Sequence, residues 1–474
     1  MDDLDLCYLP AVEALELFRS RALSPLELLR AQMRRAEEVE PRINAFTDRY
    51  FEEALARAEE AEQRYARGEA RPLEGLPVAI KDEAEVRGKR STQGSLLLKD
   101  EISERNAYVV DRLEQAGAIF HARTATPEFC LLFQTHSRLW GVTRNPWNLE
   151  ITPGGSSGGS AASLAAGTST LASGSDIGGS IRQPASMCGL VGFKPPYGRN
   201  PEAPPFSLDP FNHQGPLART VADCALMQNA MSGPHPHDIA TVRPKVEIPL
   251  DLDTDLRGWR VAYSLDLGYV DVDPEICDNT LEVLEIFREL GAIAEEVKLG
   301  WSPRIDEAAV RYYDFMMGGY IDELTRGAED LLTDYARDYV ERSHSTGPRE
   351  FLAALTTCSE MYDEFGPLME RNDLFVCPTV TTTRVAADFN YLHDTLEIRG
   401  KRIEPELGVA MCHQFNMLSR CPVLAVPSGA AENGVPTGVQ LVGRTYDDET
   451  VFRAAAALEA ARPRFRDAAS RPAL

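Results

Sequence analysis

The sequence predicts an α/β protein, a single large domain with a central mixed, twisted β-sheet covered by helices on both faces. Short apolar runs alternate with amphipathic stretches at both ends of the 474-residue chain. Residues 259–297 form a β-α-β pattern, with strands at WRVAYS and AIAEEV around a helical PEICDNTLEVLEIFREL, which implies parallel strands. No repeat of fixed period interrupts this alternation, so a repeat array is not expected.

The N-terminal 70 residues are predicted to be helical. Ser24-Pro25-Leu26-Glu27 combines an N-cap serine, a proline at the first helical position and a glutamate at the third. The helix that it starts should run to Pro41, and a second helix should cover 51–67.

The middle of the chain alternates strands with helices. Gly75–Ile80 is a short apolar strand followed at once by Lys81. Further elements are expected as a helix at 107–116, a strand at 118–123, a loop at 140–153, a helix at 157–167 and strands at 169–175 and 188–193.

The remaining elements follow a long loop. That loop should run through Pro216, since six prolines between Pro195 and Pro210 do not suit a strand interior. The expected elements are a helix from Thr220 to Met231, helices over 305–370, strands at 373–378, 422–427 and 437–443, and helices at 405–418 and 447–461.

Composition and charge exclude several classes of function. The net charge of −24 argues against a nucleic acid or an anionic membrane as partner. Nine scattered cysteines without a paired spacing indicate a reducing compartment. The start MDDLDLCYLP does not resemble a signal peptide, and no apolar run is long enough to span a membrane. We therefore expect a cytoplasmic protein, with no cofactor and no metal, because no cluster has metal-ligand spacing.

Two glycine- and serine-rich clusters carry the chemistry. Ser156 lies in PGGSSGG and Ser180 in SDIGGSIR, 24 positions later. A serine nucleophile needs a base. Lys81 can serve as that base only if it is neutral, so its pKa should lie well below ~10.4, as desolvation at a strand end would favour.

An alternative interpretation starts from residues 154–158. GGSSG matches the Gly-x-Ser-x-Gly nucleophile elbow of α/β-hydrolases. That elbow follows directly on a strand, whereas here a loop with proline and asparagine precedes it, and His413 is the single late histidine available. The context therefore argues against this fold.

Several separated motifs together resemble the amidase signature family, in the same order, from about residue 5 to 462. They are GLPVAIKD at 75–82, GGSSGG at 154–159, DIGGSIRQPA at 176–185, CGLVGFKP at 188–195, GPLARTVAD at 215–223 and PVLAVPSG…GVPTGVQLVG at 422–443. The resemblance implies one amidase domain over 1–474. Its parts would be a helical segment at 1–70, a catalytic core at 75–230, a helical excursion at 305–370 and the C-terminal part of the same sheet at 371–462.

The resemblance also implies a Ser–cis-Ser–Lys triad. Ser180 would be the nucleophile, Ser156 the bridging serine after a cis peptide bond, and Lys81 the general base. The oxyanion hole would use backbone N–H groups of Ile177, Gly178 and Gly179, with that of Ser180. Asp176, Arg182 and Ser157 would support this loop.

The implied activity is hydrolysis of an amide C–N bond, in an aryl amide or a carbamate among others, by way of an acyl-enzyme. The alternatives are the glutamine-hydrolysing subunit of a tRNA-dependent amidotransferase and a catalytically silent family member. The expected partner is a small amide or carbamate, and a homodimer stays open. The pocket residues suggested by the sequence are Phe129, Gln134, Gln183, Phe206, Phe211, Tyr312, Met316 and Cys412–Met417.

Overall fold

Eleven strands form one mixed sheet in a computed structural model of the chain, which describes residues 2–465 and 468–474. The strands of the structure are β1 (Phe46–Arg49), β2 (Pro77–Lys81), β3 (Ile119–Thr124), β4 (His136–Ser137), β5 (Gly141–Val142), β6 (Leu171–Asp176), β7 (Val191–Lys194), β8 (His213–Ala218), β9 (Arg260–Tyr263), β10 (Ile293–Glu296), β11 (Leu374–Pro378), β12 (Leu396–Ile398), β13 (Lys401–Ile403), β14 (Val423–Ala430) and β15 (Pro436–Val442). The large sheet has the order β1-β3-β2-β6-β8-β7-β14-β15-β11-β9-β10.

Helices flank this sheet. They are α1 (Asp3–Cys7), α2 (Ala11–Ser20), α3 (Pro25–Ile43), α4 (Phe51–Arg67), α5 (Tyr108–Gln115), α6 (Gly158–Ala165), α7 (Arg182–Cys188), α8 (Val221–Met231), α9 (Pro274–Glu289), α10 (Arg304–Tyr313), α11 (Gly319–Thr325), α12 (Asp334–Ser343), α13 (Pro348–Met369), α14 (His413–Met417) and α15 (Asp448–Ala461).

The sheet separates two apolar cores, as alternating side chains of β11 show. Leu374 and Val376 belong to one core, with residues of α9 and α15. Phe375 and Cys377 point the other way, into a core shared with α10, α13 and α14. Successive residues of a strand face opposite sides. The predicted α/β class with helices on both faces is therefore confirmed.

Both local signals used for the elements hold in the structure. Ser24 caps α3 with a complete capping box, since its Oγ accepts from the Glu27 N–H and the Glu27 carboxylate accepts from the Ser24 N–H. The β-α-β prediction is confirmed by β9 and β10, which pair in parallel with Ile293 opposite Arg260.

Three predictions about elements are wrong. The N-terminal 70 residues are not all helical, because β1 lies among them and pairs with β3 at the edge of the sheet. The loop expected through Pro216 ends earlier, because β8 is a central strand that pairs with both β6 and β7. The helix expected at 405–418 is reduced to α14. Residues 409–411 instead bond to a neighbouring extended segment, where Thr381 N donates to the Val409 carbonyl and Met411 N donates to that of Thr379.

Candidate active site

The site lies where two parallel neighbours of the sheet end. β2 ends at Lys81, and β6, which pairs with it in parallel through Val78 and Leu171, ends at Asp176. Carboxyl ends of adjacent parallel strands meet at one edge of a sheet. This places Lys81 beside the loop 177–181, which carries Ser180 into α7.

Lys81 is completely buried and is held by two serines. Its Nζ donates to Oγ of Ser156 at 2.8 Å and to Oγ of Ser175 at 2.8 Å. Its backbone N–H donates to Oγ of Ser173 at 3.0 Å, which fixes the strand end. The structure thus brings the expected base and the expected bridging serine into direct contact.

Ser156 follows a cis peptide bond from Gly155. The N–H of Gly155 donates to Oε1 of Gln183 at 2.8 Å. A Cβ on Gly155 would lie 2.6 Å from the Leu132 carbonyl oxygen, so the chain has room for glycine alone at this position. Gln183, which we expected in the substrate pocket, is instead a buried support of this peptide.

Ser180 lies on the wall of a cavity that Ser156 also lines. Ser157 supports it, since the Ser157 N–H donates to the Ser180 carbonyl at 3.1 Å. Among the hydrogen bonds of the described residues, none joins Oγ of Ser156 to Oγ of Ser180. The link from Ser156 to Lys81 is therefore formed in the unliganded protein, and the link to Ser180 is not.

Three backbone N–H groups of the loop 177–181, the nucleophile loop, are free to bind an oxyanion. Those of Ile177, Gly178 and Ser180 have no hydrogen-bond acceptor in the part of the chain that the structure describes. The N–H of Gly179 donates to Oδ1 of Asp176 at 2.8 Å. Gly179 therefore leaves the set of donors expected from the sequence, because a carboxylate already occupies its N–H.

Asp176 and Arg182 hold this loop through a buried ion pair. Nη2 of Arg182 lies 2.8 Å from Oδ1 of Asp176, and both side chains are fully buried. Asn416 donates to the same oxygen at 2.8 Å. Burial opposes ionisation of Asp176, but the charge of Arg182 outweighs it and the pKa of this carboxyl is lowered. The loop is thus anchored on charge-assisted hydrogen bonds.

Glu83 lies beside Lys81 and affects its protonation. Oε2 of Glu83 lies 2.9 Å from Nζ of Lys81 and accepts from Oγ of Ser175 at 2.8 Å. Burial lowers the pKa of Lys81, but the Cys130 and Glu83 charges raise it, and the net direction is upward. Burial raises the pKa of Cys130 itself to about 11, so at neutral pH the acting charge is that of Glu83. The contact with Glu83 therefore favours the ammonium form of Lys81 in the unliganded protein, in contrast to the neutral amine that we expected.

A cavity of about 730 Å³ opens beside Ser180. Of the expected pocket residues, Phe129 and Phe206 line it. Its wall also contains residues that sequence reasoning missed, which are Glu83, Cys130, Ser175, Glu202, Gln214, Met317 and Tyr320. A second, small cavity of about 40 Å³ lies on the other side of Ser180, between Phe133, Tyr313 and Tyr339.

Other expected pocket residues lie outside these walls. Tyr312 is fully buried, stacks on Phe211 with ring centroids 3.8 Å apart, and donates to Asp209 at 2.6 Å. Gln134 is buried and lines neither cavity. Met316 packs on the second core, while its neighbour Met317 faces the cavities. Cys412–Met417 is likewise buried in that core and behind the nucleophile loop.

Comparisons with known proteins identify the family of the chain. The family model Amidase matches residues 27–452. The chain belongs to the amidase signature family. Its solved relative, a bacterial aryl acylamidase of this family, superposes with a TM-score of 0.90 at 29% identity over 96% of both chains. Membership of this family makes the protein an amidohydrolase that acts on carbon–nitrogen bonds.

Two curated relatives differ in what they are named for. The acylamidase of Rhodococcus erythropolis is 34% identical over 475 residues, covering 98% of this chain and 97% of the relative. A glutamyl-tRNA(Gln) amidotransferase subunit of Geobacter metallireducens is 33% identical over 479 residues, covering 94% of this chain and 95% of the relative. Identity alone therefore does not separate the two activities. Among the described helices, none is sufficiently long and apolar to cross a membrane.

Proposed function

We propose that the protein is a stand-alone amidase that hydrolyses a small-molecule amide through an acyl-enzyme on Ser180. The hydrogen bond between Lys81 and Ser156, on the wall that also presents Ser180 to the cavity, carries this proposal. Aryl amides and carbamates fall within this class of substrate.

In this mechanism, Lys81 must first lose its proton. Neutral Lys81 then accepts the Ser156 hydroxyl proton while Ser156 accepts that of Ser180, and Oγ of Ser180 forms a bond to the acyl carbon. The tetrahedral intermediate collapses when the C–N bond breaks, and the relay returns the proton to the departing amine. Water attacks the ester by the same relay, which releases the acid and regenerates Ser180.

The nucleophile loop stabilises the oxyanion. The N–H groups of Ile177, Gly178 and Ser180 are available for it, as described above. Donors of this kind act because they are already oriented before the charge develops, and one of them is worth ~2.7–4 kcal/mol of transition-state stabilisation.

A second candidate is the glutamine-hydrolysing subunit of a tRNA-dependent amidotransferase. The similarity to the amidotransferase subunit of Geobacter metallireducens supports it. The TM-score of 0.90 to the aryl acylamidase structure, against 0.76 to an amidotransferase subunit of Thermotoga maritima, favours the stand-alone enzyme. A catalytically silent member is disfavoured because Lys81, Ser156 and Ser180 are all present.

The test is activity of the purified chain, with no other protein added, against anilides, aliphatic amides, carbamates and glutamine. We expect hydrolysis of at least one non-glutamine class and a loss of about 10³-fold or more in Ser180→Ala. Ser163→Ala is the matched control, since Ser163 is buried in α6 away from Lys81. Activity confined to glutamine and dependent on added subunits would contradict the proposal.

A further inference from the structure

The large cavity beside Ser180 is lined by acidic side chains. Its five carboxylates belong to Glu83, Glu85, Glu101, Glu104 and Glu202. The basic residue on this wall, Arg105, is paired with Glu85 at 2.9 Å. Lys81, just behind the wall, is the cation nearest Glu83. The cavity therefore carries an excess of negative charge next to the nucleophile.

Glu83 and Glu202 are joined by one amide. Nε2 of Gln214 donates to Oε1 of Glu83 at 3.2 Å and to Oε2 of Glu202 at 2.7 Å. Glu202 also accepts from the Asn212 side chain at 3.1 Å and from the Ala203 N–H at 2.7 Å. All these donors are neutral, and within the described residues no basic group lies within 4.0 Å of Glu202. Of the two carboxylates, Glu83 alone has a cation within 4.0 Å in the described structure, and that cation is Lys81.

The side chain of Gln214 has a buried amide oxygen without a hydrogen-bond donor in the described structure. This side chain lines the cavity and is 7% exposed. The orientation of the amide is fixed because two carboxylates accept from its nitrogen. Leaving a buried acceptor without a donor is unfavourable. The cluster therefore offers two carboxylates, only one of which is paired with a cation, to a group that carries both positive charge and N–H donors.

We propose that the substrate is an amide bearing a primary ammonium group near its scissile bond, which binds among Glu83, Glu202 and Gln214. This inference rests on the proposed function and names its substrate class. The position follows from contacts, because Glu83 is one hydrogen bond from Lys81, and Lys81 is one hydrogen bond from Ser156.

Such a ligand also explains how Lys81 becomes a base. In the free protein Glu83 forms an ion pair with Lys81. It also accepts hydrogen bonds from the Ser175 hydroxyl and, at 3.4 Å, from the Cys130 thiol. A substrate ammonium at Glu83 and Glu202 places a second positive charge beside Lys81. Like charges at close range favour the neutral form of the lysine, so the substrate itself promotes proton loss from Lys81.

The test compares isosteric substrates in which an ammonium replaces a methyl group. Alanine 4-nitroanilide is matched with isobutyric acid 4-nitroanilide, and N-(2-aminoethyl)benzamide with N-propylbenzamide. We expect kcat/KM to favour the ammonium member of at least one pair by about tenfold or more, as for a charged hydrogen bond. Glu202→Gln should bring this ratio towards one, while Glu104→Gln, which removes a rim charge outside the cluster, should preserve it.

A binding measurement covers the case in which neither pair fits the enzyme. Butylammonium should slow labelling of Ser180 by a fluorophosphonate at concentrations where 1-pentanol does not, and Glu202→Gln should abolish this protection. Equal protection by both compounds, or equal kcat/KM within both pairs, would overturn the inference. Activity restored by Mg²⁺ or Ca²⁺ after EDTA would overturn it too, because a metal would then occupy the cluster. Failure of Ser180 to react at all would instead refute the proposed function.

Discussion

Lys81 contacts Ser156 at 2.8 Å on one side and the Glu83 carboxylate at 2.9 Å on the other. The contact with Ser156 places Lys81 where a general base is needed. The contact with Glu83 stabilises the protonated form of Lys81, which cannot accept a proton. Lys81 must therefore lose a proton before it can act as the base. High pH, or a cation that competes for Glu83, would favour this loss. The effect of Glu83 on the pKa of Lys81 can be measured through the isosteric substitution Glu83→Gln.

Glu83→Gln should shift the pH dependence of hydrolysis of a neutral amide. Since Glu83 raises the pKa of Lys81, removing its charge should lower that pKa and move the rising limb of kcat/KM to lower pH. The measurement is kcat/KM for one neutral amide across pH in both proteins. Glu85→Gln is the control, because it removes a nearby charge that pairs with Arg105 rather than with Lys81. A rising limb at the same pH in Glu83→Gln would contradict this account.

Glu202 should make binding of ammonium substrates depend on pH near neutrality. The pKa of Glu202 is raised to about 7, chiefly by burial and to a smaller extent by the charge of Glu83. Hydrogen bonds from Gln214 and other groups act in the opposite direction. The negative charge of Glu202 is therefore lost as pH falls through about 7. We expect KM for the ammonium substrate to rise below this pH, with a smaller change for the isosteric neutral substrate. An identical pH dependence of KM for both substrates would be evidence against the assignment.

The sequence, through its family resemblance, pointed to the two serines and the lysine that the structure places at the candidate site, but it did not point to their charged surroundings. Ser156, Ser180 and Lys81 lie in glycine-rich or strand-end motifs, which are local signals. Glu202 and Gln214 reach the site through chain segments more than 20 residues after Ser180, and no local pattern marks them. Glu83 had a usable signal, since it lies two residues after Lys81 and an acidic neighbour opposes deprotonation.

At the scale of elements, the nucleophile loop depends on α7 and α14. Arg182 at the start of α7 donates to Asp176, to Asn416 of α14 at 2.7 Å and to Gln440 of β15 at 2.6 Å. These contacts tie three separated elements to the loop that carries Ser180. Loss of the guanidinium would leave the Asp176 carboxylate buried without its cation.

Arg182→Met should therefore lower the free energy of unfolding by about 3–5 kcal/mol, the usual cost of breaking a buried pair. The pKa of Asp176 is lowered on folding, so this contribution is present above the ordinary carboxyl pKa of ~3.8 and shrinks as pH falls below it. Urea denaturation at pH 7 and at about pH 2.5, which is below the ordinary carboxyl pKa, measures both effects.

The control for this prediction is an exposed ion pair. Arg34 and Asp3 lie 2.6 Å apart with side chains 55% and 60% exposed. Arg34→Met should cost no more than about 1 kcal/mol, because solvent screens such pairs. Similar losses for the two variants would show that the Asp176–Arg182 pair does not stabilise the fold as argued.

Elements with local signals were predicted well, and elements decided by distant partners were not. The capping box at Ser24 and the β-α-β unit depend on residues close in sequence. β8 was missed because the six prolines between Pro195 and Pro210 led us to extend the loop through Pro216, whereas pairing with β6 and β7 on both edges makes 213–218 a strand. The helix at 405–418 failed because Thr379 and Thr381 bond the 409–411 backbone in an extended form.

At the scale of the whole molecule, the acidic composition and the acidic cavity are separate facts. A net charge of −24 keeps the protein dispersed. The Glu83–Gln214–Glu202 cluster is local and partly buried, so salt screens it less than it screens the outer surface. Raising ionic strength therefore separates general attraction of cations from binding at the cluster.

We expect Ser180 to form the acyl-enzyme, with Ser156 as its proton relay. The most direct measurement is mass spectrometry of the protein quenched during turnover of a slow ester. We predict one acyl group, assigned to Ser180 by fragmentation of the peptide that contains it, and none in Ser180→Ala. An acyl group on Ser156, or one that persists in Ser180→Ala, would contradict the account.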